Sequence, residues 1–304
     1  MHTFWKEIRL KRAYYLMALP GLLFFLVFCY FPMFGILLAF KDFNVRDGIL
    51  GSPWVGWKNF EFFFTSDKAW STTANTLLFN GLFIISGLIF QIGIAILLNE
   101  IRGKLVKKLF QSSMFFPYFI SWVVVGGLVT QIFGTDFGVV NHLLESIGAD
   151  PIKWYQSPQY WIPILVGIHV WKSTGYGVII YLATIVSVDS ELYEAAKIDG
   201  ANRFQQIRYI MLPFLAQTAT ILTLLAIGRV FYGDFGMMYA IIGDNGMLTD
   251  RTDVIDTYVF RALRTNGDFG MTTAIGLYQS VVGLILVLVS NGIVRKYQRE
   301  NALF

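Results

Sequence analysis

The chain has few charged residues and almost no cysteine or histidine, and these shortages exclude several classes of protein. Charged residues make up 14% of its 304 residues, whereas soluble domains contain about 25%. The single cysteine, Cys29, leaves no pair for an internal disulfide, and no Cys/His spacing typical of a metal site occurs. The sequence also lacks the Gly-x-x-x-x-Gly-Lys-Ser/Thr loop that binds nucleotide phosphates. We therefore expect neither a soluble domain nor an ATPase.

Apolar residues take the place of the missing charges, and they are grouped into long runs. Hydrophobic residues make up 55% of the chain and aromatic residues 17%. A membrane-spanning helix needs about 20 mostly apolar residues. Six stretches meet this requirement: 14–39, 74–98, 113–133, 161–187, 214–242 and 270–294. The predicted fold class is therefore an all-α polytopic membrane protein with six transmembrane helices.

The distribution of Lys and Arg predicts the orientation of these helices. An even number of helices places both termini on one side, and that side carries the larger share of Lys and Arg. Because cytoplasmic loops of membrane proteins are enriched in Lys and Arg, we expect cytoplasmic N- and C-termini and a cytoplasmic loop at 188–213. The net charge of +4 then reflects topology, and we expect no nucleic-acid partner.

The segment between the fourth and fifth apolar stretches carries the most specific pattern. It reads Glu194-Ala195-Ala196, three residues, Gly200, nine residues, Ile210, one residue, Leu212-Pro213. Asp189 or Ser190 can cap a helix that starts there, Gly200 can end or bend it, and Pro213 is tolerated in a first helical turn. The pattern predicts a short helix, a glycine bend and a second helix that enters the membrane.

At every fixed position this pattern resembles the EAA loop of binding-protein-dependent ABC importer permeases. The segment Val55-Gly56-Trp57-Lys58-Asn59-Phe60 is similar to a Gly-x-x-Asn-Phe element that precedes the core of sugar-type permeases. The resemblance covers about 73–294. It implies the type I ABC importer permease fold, with one leading helix before a five-helix core. The leading helix and the aromatic-rich loops look most like the carbohydrate branch, especially its oligosaccharide, maltose-type members.

The resemblance also implies a division of the chain and a role for the loop. Residues 1–72 would hold the cytoplasmic N-terminus, the first transmembrane helix and an external lead-in, and 295–304 a cytoplasmic tail. Residues 73–294 would form the permease core, with the coupling loop at 189–213. The implied ATPase-coupling residues are Glu194, Ala195, Ala196, Asp199, Gly200, Leu212 and Pro213. In the family, such a coupling helix sits in a groove of an ATP-binding subunit, with a charged contact from the glutamate and close packing at the alanines.

The implied function is that of a permease subunit in an ATP-driven sugar uptake system of the bacterial cytoplasmic membrane. The implied partners are a second homologous permease subunit, two ATP-binding subunits, an extracytoplasmic solute-binding protein, a carbohydrate substrate and membrane lipid. Sugar systems of this type usually pair two different permeases, so we expect a heterodimer. The chain itself would be non-catalytic and bind no cofactor, with ATP and Mg²⁺ held by the partner ATPase subunits.

Polar residues inside the apolar stretches are candidates for the substrate path, because charge within a membrane is costly. Lys172 falls near the middle of the fourth stretch, and no acidic residue of this chain is expected at its depth. The candidate path residues are His169, Trp171, Lys172, Tyr176, Arg229 and Tyr232. Two interpretations remain open for them: contact with a sugar, with an aromatic ring stacked on it, or pairing of buried polar groups at a subunit interface.

Two further groups of residues have a favoured interpretation and an alternative. In the second stretch one face carries Asn80, Ile84, Gly87 and Gln91, and small and polar residues at this spacing favour helix packing over pore lining. The outer loops carry Trp54, Trp57, Trp154 and Trp161, which favour interfacial aromatics over a docking surface for an external partner.

Three alternative functions remain to be weighed against sugar import. The first is the same type of importer with a non-sugar solute, which the EAA pattern does not exclude. A secondary transporter would require an internal repeat and mid-membrane carboxylates, and neither is found in the sequence. A membrane enzyme such as a lipid-linked glycosyltransferase would require paired acids with metal-site character, for which Asp250, Asp253 and Asp256 are the nearest candidates.

Overall fold

The computed structural model describes residues 10–297, apart from the side chains of Phe62, Phe64 and Tyr297. Within these residues the regular structure is helical except for one isolated bridge between Lys41 and Trp54. The α-helices are α1 (Arg12–Phe25), α2 (Gly48–Gly51), α3 (Lys58–Thr65), α4 (Asp67–Glu100), α5 (Lys104–Phe115), α6 (Trp122–Phe133), α7 (Val139–Ser146), α8 (Trp161–Ser187), α9 (Ser190–Ile198), α10 (Arg203–Gln206), α11 (Leu212–Ile227), α12 (Phe235–Ile241), α13 (Thr249–Thr252), α14 (Ile255–Asn266) and α15 (Phe269–Tyr297). The predicted all-α fold class is confirmed.

Tighter and wider helical turns extend several of these helices. After α1 the helix continues as a π turn and then a 3₁₀ segment that begins next to Pro32. The 3₁₀ segments are Phe31–Phe40, Phe116–Phe119, Trp154–Gln156 and Pro158–Tyr160, and the π turns are Leu26–Tyr30 and Ile207–Met211. Irregular turns of this kind are common where proline interrupts the helical hydrogen bonds.

Membrane-spanning helices account for most of the described chain. Four helices are long and apolar enough to cross a membrane: Arg12–Phe40, Asp67–Glu100, Arg203–Ile227 and Phe269–Lys296. Two further pairs of helices pass the same test together but are bent, namely Lys104–Phe119 with Trp122–Phe133 by 99°, and Pro158–Ser187 with Ser190–Ile198 by 64°. The described residues therefore contain up to six spans, the number that the sequence predicts.

The fifth span differs at both ends from its predicted limits of 214–242. It begins earlier, because α10 runs through the π turn into α11 without a break and Pro213 lies inside the helix. It also ends earlier, at Ile227, and a non-helical segment follows before α12. The helix ends one residue before Gly228.

The described chain divides into two compact units. The leading unit contains the residues up to Thr65 together with Ala262–Tyr278, and the core unit contains Ser66–Arg261 and the residues from Gln279 onward. The predicted division at residue 72 stays a prediction.

In the leading unit, the Gly-x-x-Asn-Phe element closes the end of the first span. The amide of Asn59 donates to the carbonyl oxygens of Leu38, Ala39 and Lys41 at 3.3, 3.0 and 2.9 Å. Carbonyls at a helix C-terminus lack intrahelical donors, so Asn59 supplies donors that the helix cannot. Gly56 has a positive φ of 63°, a conformation that glycine adopts without strain.

The core unit has two hydrophobic clusters, and both join α4 to α8. The first contains Phe79, Phe83, Trp161 and Leu165 with residues of α6 and α12. The second contains Ala95, Leu98, Tyr181, Ile185 and Met211 among its members. α4 and α8 are thus packed together along much of their length, and they form a common wall for the sites described below.

Two of the four tryptophans predicted for the outer loops are part of the folded core. Trp161 is fully buried and its indole N–H donates to the carbonyl of Trp154 at 2.8 Å. The Trp154 indole N–H donates to Asn141 Oδ1 at 2.9 Å. The prediction of interfacial or docking aromatics is therefore wrong for Trp154 and Trp161, whereas Trp54 and Trp57 are exposed. Their sequence neighbourhoods are equally aromatic, so only the tertiary contacts separate the two pairs.

Candidate functional site

The EAA-like loop begins with the short helix α9, whose first turn is capped by Asp189. The carboxylate of Asp189 accepts a hydrogen bond from the backbone N–H of Glu191 at 3.0 Å, as expected of an acid at a helix start. Glu194 and Ala195 are exposed, and Ala196 is partly buried. An apolar residue of the same helix, Ile198, is 86% exposed. This short helix therefore presents an acid, a small residue and an apolar side chain at an open surface.

Gly200 ends α9 in a left-handed conformation. Its φ is 81°, the N–H of Gly200 donates to the Lys197 carbonyl at 3.1 Å, and the N–H of Ala201 donates to the Ala196 carbonyl at 2.8 Å. This pair of bonds is typical of a glycine-terminated helix end. Asp199 lies at the C-cap itself. The predicted glycine bend is present where the sequence places it.

We expect Gly200→Asn to reduce uptake least, Gly200→Ala to reduce it more and Gly200→Val to reduce it most. No atom lies within 4 Å of a Cβ built on Gly200, so the cost comes from its backbone conformation. A left-handed conformation costs an L-residue about 1–2 kcal/mol; asparagine tolerates it best and β-branched residues worst. Sugar uptake and the thermal stability of the complex would be measured together. Equal values for the alanine and valine variants would show that this backbone conformation does not limit function.

The second half of the loop is tied to the end of α4. Asn202 and Gln205 form a reciprocal capping box at the start of α10. Arg203 then makes two hydrogen bonds of 2.7 Å to the carboxylate of Glu100, the last residue of α4. Two parallel bonds of this kind fix geometry as well as adding attraction. Sequence reasoning missed Glu100, because nothing local distinguishes it from any other acid at a helix end.

A polar cavity of about 510 Å³ lies among α4, α8 and the segment that follows α11. Of the six predicted path residues it brings together His169, Arg229 and Tyr232. The whole lining is Asn80, Phe83, Ile84, Gly87, Leu88, Gln91, His169, Tyr181, Leu222, Thr223, Ala226, Arg229, Tyr232, Gly233 and Asp234. The predicted packing face of α4 also lines this cavity, and Gln91 on it packs against Gly177 of α8, so packing and lining occur on the same face. The pattern of small and polar residues suits either role, and only the position of neighbouring helices decides between them.

The non-helical segment between Ile227 and Phe235 forms one side of this cavity, and its backbone is bonded by side chains. The amide of Asn80 donates to the carbonyls of Val230 and Tyr232, both at 3.0 Å. The amide of Gln279, which is buried, donates to the Phe231 carbonyl at 2.6 Å. Because backbone groups within a bilayer must find partners inside the protein, Asn80 and Gln279 allow the helix to break here.

Asp256 completes this set of bonds from outside the spans. Its carboxylate accepts from the N–H of Gly233 at 2.5 Å and from the Gln279 amide at 3.4 Å. Burial raises the pKa of the Asp256 carboxyl, and the bond from Gly233 opposes that rise. We call the non-helical residues between Ile227 and Phe235 the broken segment. We refer to Asn80, Asp256 and Gln279 together as the brace, because each bonds to the backbone of the broken segment.

The rings of His169 and Tyr232 are held in place at the cavity wall. His169 stacks on Phe83 with ring centres 3.9 Å apart and an interplanar angle of 9°. The Tyr232 hydroxyl lies 2.8 Å from Ser280 Oγ on α15, within hydrogen-bonding distance. Buried His169 Nδ1 has no hydrogen-bond partner among the described atoms. A flat ring at a fixed position is suited to stacking on a sugar.

Lys172 is placed differently, and its ammonium group is bound to backbone. Its Nζ donates to the carbonyls of Pro117, Tyr118 and Ile120 at 3.2, 2.8 and 2.6 Å. It also lies 5.0 Å from the centre of the Trp122 ring. Two of these carbonyls belong to the 3₁₀ turn Phe116–Phe119 and the third to the bend that follows it, where carbonyls lack part of their helical donors. The structure thus gives Lys172 a role that the sequence interpretation omitted, as a donor to the backbone at this bend.

We expect Lys172→Met to destabilise the subunit more than it changes substrate affinity. Removal of the ammonium takes its donor from the part-buried carbonyls of Tyr118 and Ile120, whereas Pro117 keeps the N–H of Ile120. An unsatisfied buried polar group costs about 1–3 kcal/mol. The thermal unfolding temperature of the complex and the KM of uptake would both be measured, with Trp171→Phe as the control on the neighbouring position. A raised KM with an unchanged unfolding temperature would show instead that Lys172 contacts the substrate.

The two remaining path candidates lie apart from the polar cavity. Tyr176 stacks on Tyr118 with ring centres 4.9 Å apart. Trp171 lines a separate, mostly apolar cavity of about 300 Å³ beside Met114 and Pro117. The six predicted residues therefore fall into two sets of three, one at the cavity and one around the bend of the third span.

The acids considered for an enzymatic site have separate protein partners. Asp253 forms ion pairs with Arg261 and, at 3.7 Å, with Lys68, and it accepts from the Thr257 hydroxyl at 2.5 Å. Asp256 bonds to Gly233 as part of the brace. Asp250 lies 3.5 Å from the ammonium of Lys68. These contacts explain the three acids as parts of the local fold between α12 and α15.

Comparison with known proteins adds a family to this geometry. The family model described as "Binding-protein-dependent transport system inner membrane component" matches residues 91–299. The chain is 38% identical over 294 residues to the polygalacturonan/rhamnogalacturonan transport system permease protein YteP of Bacillus subtilis (strain 168), covering 96% of this chain and 90% of that protein.

Two solved structures share the fold over nearly the whole chain. One is a crystal structure of a bacterial ABC transporter involved in the import of the acidic polysaccharide alginate, with a TM-score of 0.88 and 34% identity, covering 97% of this chain and 99% of that chain. The other is a bacterial alginate ABC transporter in complex with an alginate pentasaccharide-bound periplasmic protein. It has a TM-score of 0.87 and 33% identity, and the match covers 96% of this chain and 97% of that one.

Proposed function

The chain belongs to the family of binding-protein-dependent transport system inner membrane components and is a permease subunit of a sugar uptake system, and we propose that it forms half of an ATP-driven path for oligosaccharides. Its fold is the type I ABC importer permease fold, and it is a multi-pass protein of the inner membrane. We also propose which residues contact the ATPase, which residues line the sugar path and how the subunits assemble.

The geometry of the EAA-like loop is the observation that carries the coupling assignment. Glu194 and Ala195 are exposed on α9, and Gly200 ends that helix at a positive φ. We propose that this surface docks into a groove of an ATP-binding subunit, with Glu194 as the charged contact. Ala195 and Ala196 are small enough for close approach, and Asp199 and Gly200 set the direction in which the chain leaves the groove.

Two connections within the chain would transmit a displacement of α9 to the polar cavity. One is the Glu100–Arg203 ion pair, which joins the loop to α4. The other is the helix from Arg203 to Ile227, in which Leu212 and Pro213 lie and which ends where the broken segment begins. Because α4 and the broken segment both line the cavity, a displacement of the loop changes the walls between which the sugar would pass.

The other partners and the orientation follow from the same proposal. A second homologous permease completes the path, two ATP-binding subunits hold ATP and Mg²⁺, and an extracytoplasmic binding protein delivers the sugar. The chain binds no cofactor and catalyses no reaction. Its termini and the loop at 189–213 face the cytoplasm, in agreement with the excess of Lys and Arg on that side.

Reconstitution tests this function directly. The chain, its partner permease, the ATPase subunits and the binding protein would be placed in proteoliposomes with ATP inside and labelled oligosaccharide outside. Uptake should require ATP, the binding protein and this chain. Uptake that persists without ATP, or that follows an ion gradient instead, would contradict the proposal and favour a secondary transporter.

A further inference from the structure

In the part of the chain that the structure describes, Arg229 is the one lysine or arginine in the lining of the polar cavity. It lies two residues beyond Ile227, on the broken segment, and it is exposed there. Among the described residues, no carboxylate forms an ion pair with its guanidinium. An exposed guanidinium without a carboxylate partner among the described residues is placed to bind an anionic group from outside the chain.

The other charged groups near the cavity already have partners. Asp234 is the acidic residue in the lining, and its carboxylate accepts from the N–H of Met237 at 3.0 Å. The Lys172 ammonium is bonded to three backbone carbonyls. Asp234 and Lys172 therefore have contacts of their own, whereas no carboxylate of the described residues forms an ion pair with Arg229.

We propose that the cargo is an acidic oligosaccharide and that Arg229 binds one of its carboxylates in the polar cavity. This inference rests on the proposed function as an oligosaccharide permease. Guanidinium groups bind carboxylates through two parallel hydrogen bonds, which gives both attraction and orientation. Near Arg229 the hydroxyl of Tyr232 is held by Ser280, so a ring and a cation share one stretch of wall. A uronate unit presents a sugar ring and a carboxylate together.

The cargo names of the matched proteins agree with this chemistry. The permease that is 38% identical carries polygalacturonan in its name, and galacturonate has a carboxylate on every unit. The transporter with a TM-score of 0.88 imports alginate, which its description calls an acidic polysaccharide. These names support the substrate class, whereas the assignment of Arg229 depends on the position and charge of its side chain.

Uptake by the complete complex in proteoliposomes tests the substrate class. Two sets of labelled oligosaccharides of equal length would be compared: acidic ones, from polygalacturonate and alginate, and neutral ones, from galactan and starch. We expect ATP-dependent uptake of an acidic set in preference to the neutral sets. Preferred uptake of a neutral oligosaccharide would overturn the acidic class and leave the sugar permease standing, whereas uptake of none would contradict the proposed function as well.

Variants of Arg229 test the residue. Arg229→Gln should raise the KM for the acidic cargo about tenfold, as expected when hydrogen bonds to a charged group are lost, and should leave the weaker uptake of neutral cargo unchanged. Arg229→Lys should give an intermediate KM, because lysine keeps the charge without the planar fork. Arg295→Gln near the end of α15 serves as the control and should match the unsubstituted chain.

Assembly distinguishes cargo binding from a contact with the second permease. If Arg229→Gln lost the partner permease on purification while Arg229→Lys kept it, the guanidinium would pair with an acid of that subunit, and the inference would be overturned. An equal rise in KM for acidic and neutral cargo would overturn it too, since a carboxylate contact cannot affect a neutral sugar.

Discussion

Glu194→Lys should abolish ATP-driven uptake while the subunit remains assembled in the membrane. Glu194 is exposed on α9, so its replacement leaves the packing of this chain unchanged. In the proposed complex its carboxylate contacts a basic group of the ATPase, and a lysine there would place two like charges together. Breaking a buried charge contact at an interface costs about 2–5 kcal/mol, enough to lower a coupled rate more than tenfold.

Glu191→Lys is the matched control for this experiment, because it makes the same charge change on the same helix. Glu191 lies in the first turn and outside the EAA pattern, so it should reduce uptake much less. Sugar uptake and ATP hydrolysis stimulated by the loaded binding protein would be measured on both complexes. Normal uptake by the Glu194 variant, or equal losses of uptake in the two variants, would show that Glu194 does not make the proposed charged contact.

Asn80→Leu should also cause a large loss of uptake, because it removes hydrogen bonds from the broken segment beside the cavity. Leucine has the same branched shape, with methyl groups in place of the amide N and O, but cannot donate. The carbonyls of Val230 and Tyr232, the first of them part-buried, would lose the bonds that Asn80 makes, and an unsatisfied group costs up to about 1–3 kcal/mol when buried. We expect a lower unfolding temperature of the complex and an uptake rate reduced at least tenfold, because Arg229 and Tyr232 lie on the segment that loses its support.

Gln279→Leu should have the same effects to a smaller degree, since Gln279 donates to one carbonyl of this segment, that of Phe231. Ile84→Leu, one turn along α4 from Asn80, lines the same cavity without a hydrogen bond to the segment and is the control. If Asn80→Leu behaved like Ile84→Leu in both measurements, the brace would not hold the segment.

Local sequence signals were sufficient to predict the EAA-like loop. Asp189 and Gly200 act within a few residues of their own position, so the sequence around them contains the whole cause. The six apolar stretches were predictable for a similar reason, because the length of a span is set by the thickness of the bilayer. The assignment of coupling to this loop stays a prediction.

The polar cavity depended on contacts that the sequence does not specify. The face of α4 that carries Asn80 and Gln91 could have packed or lined a space, and its periodicity is the same in both cases. Lys172 was read as needing an acid or a cavity, because the bend of the third span that exposes three carbonyls was not foreseen. Glu100 was missed because its partner, Arg203, lies 103 positions away in the chain.

Cross-linking from α9 tests most directly that this helix is the contact through which ATP drives transport. Ala195→Cys would be introduced after Cys29 is replaced by serine, and the complex would be treated with a short photoactivatable maleimide. We expect an adduct with the ATP-binding subunit from position 195, and none from Glu145→Cys in the loop expected on the opposite side. No adduct from position 195, or an equal yield from both positions, would contradict it.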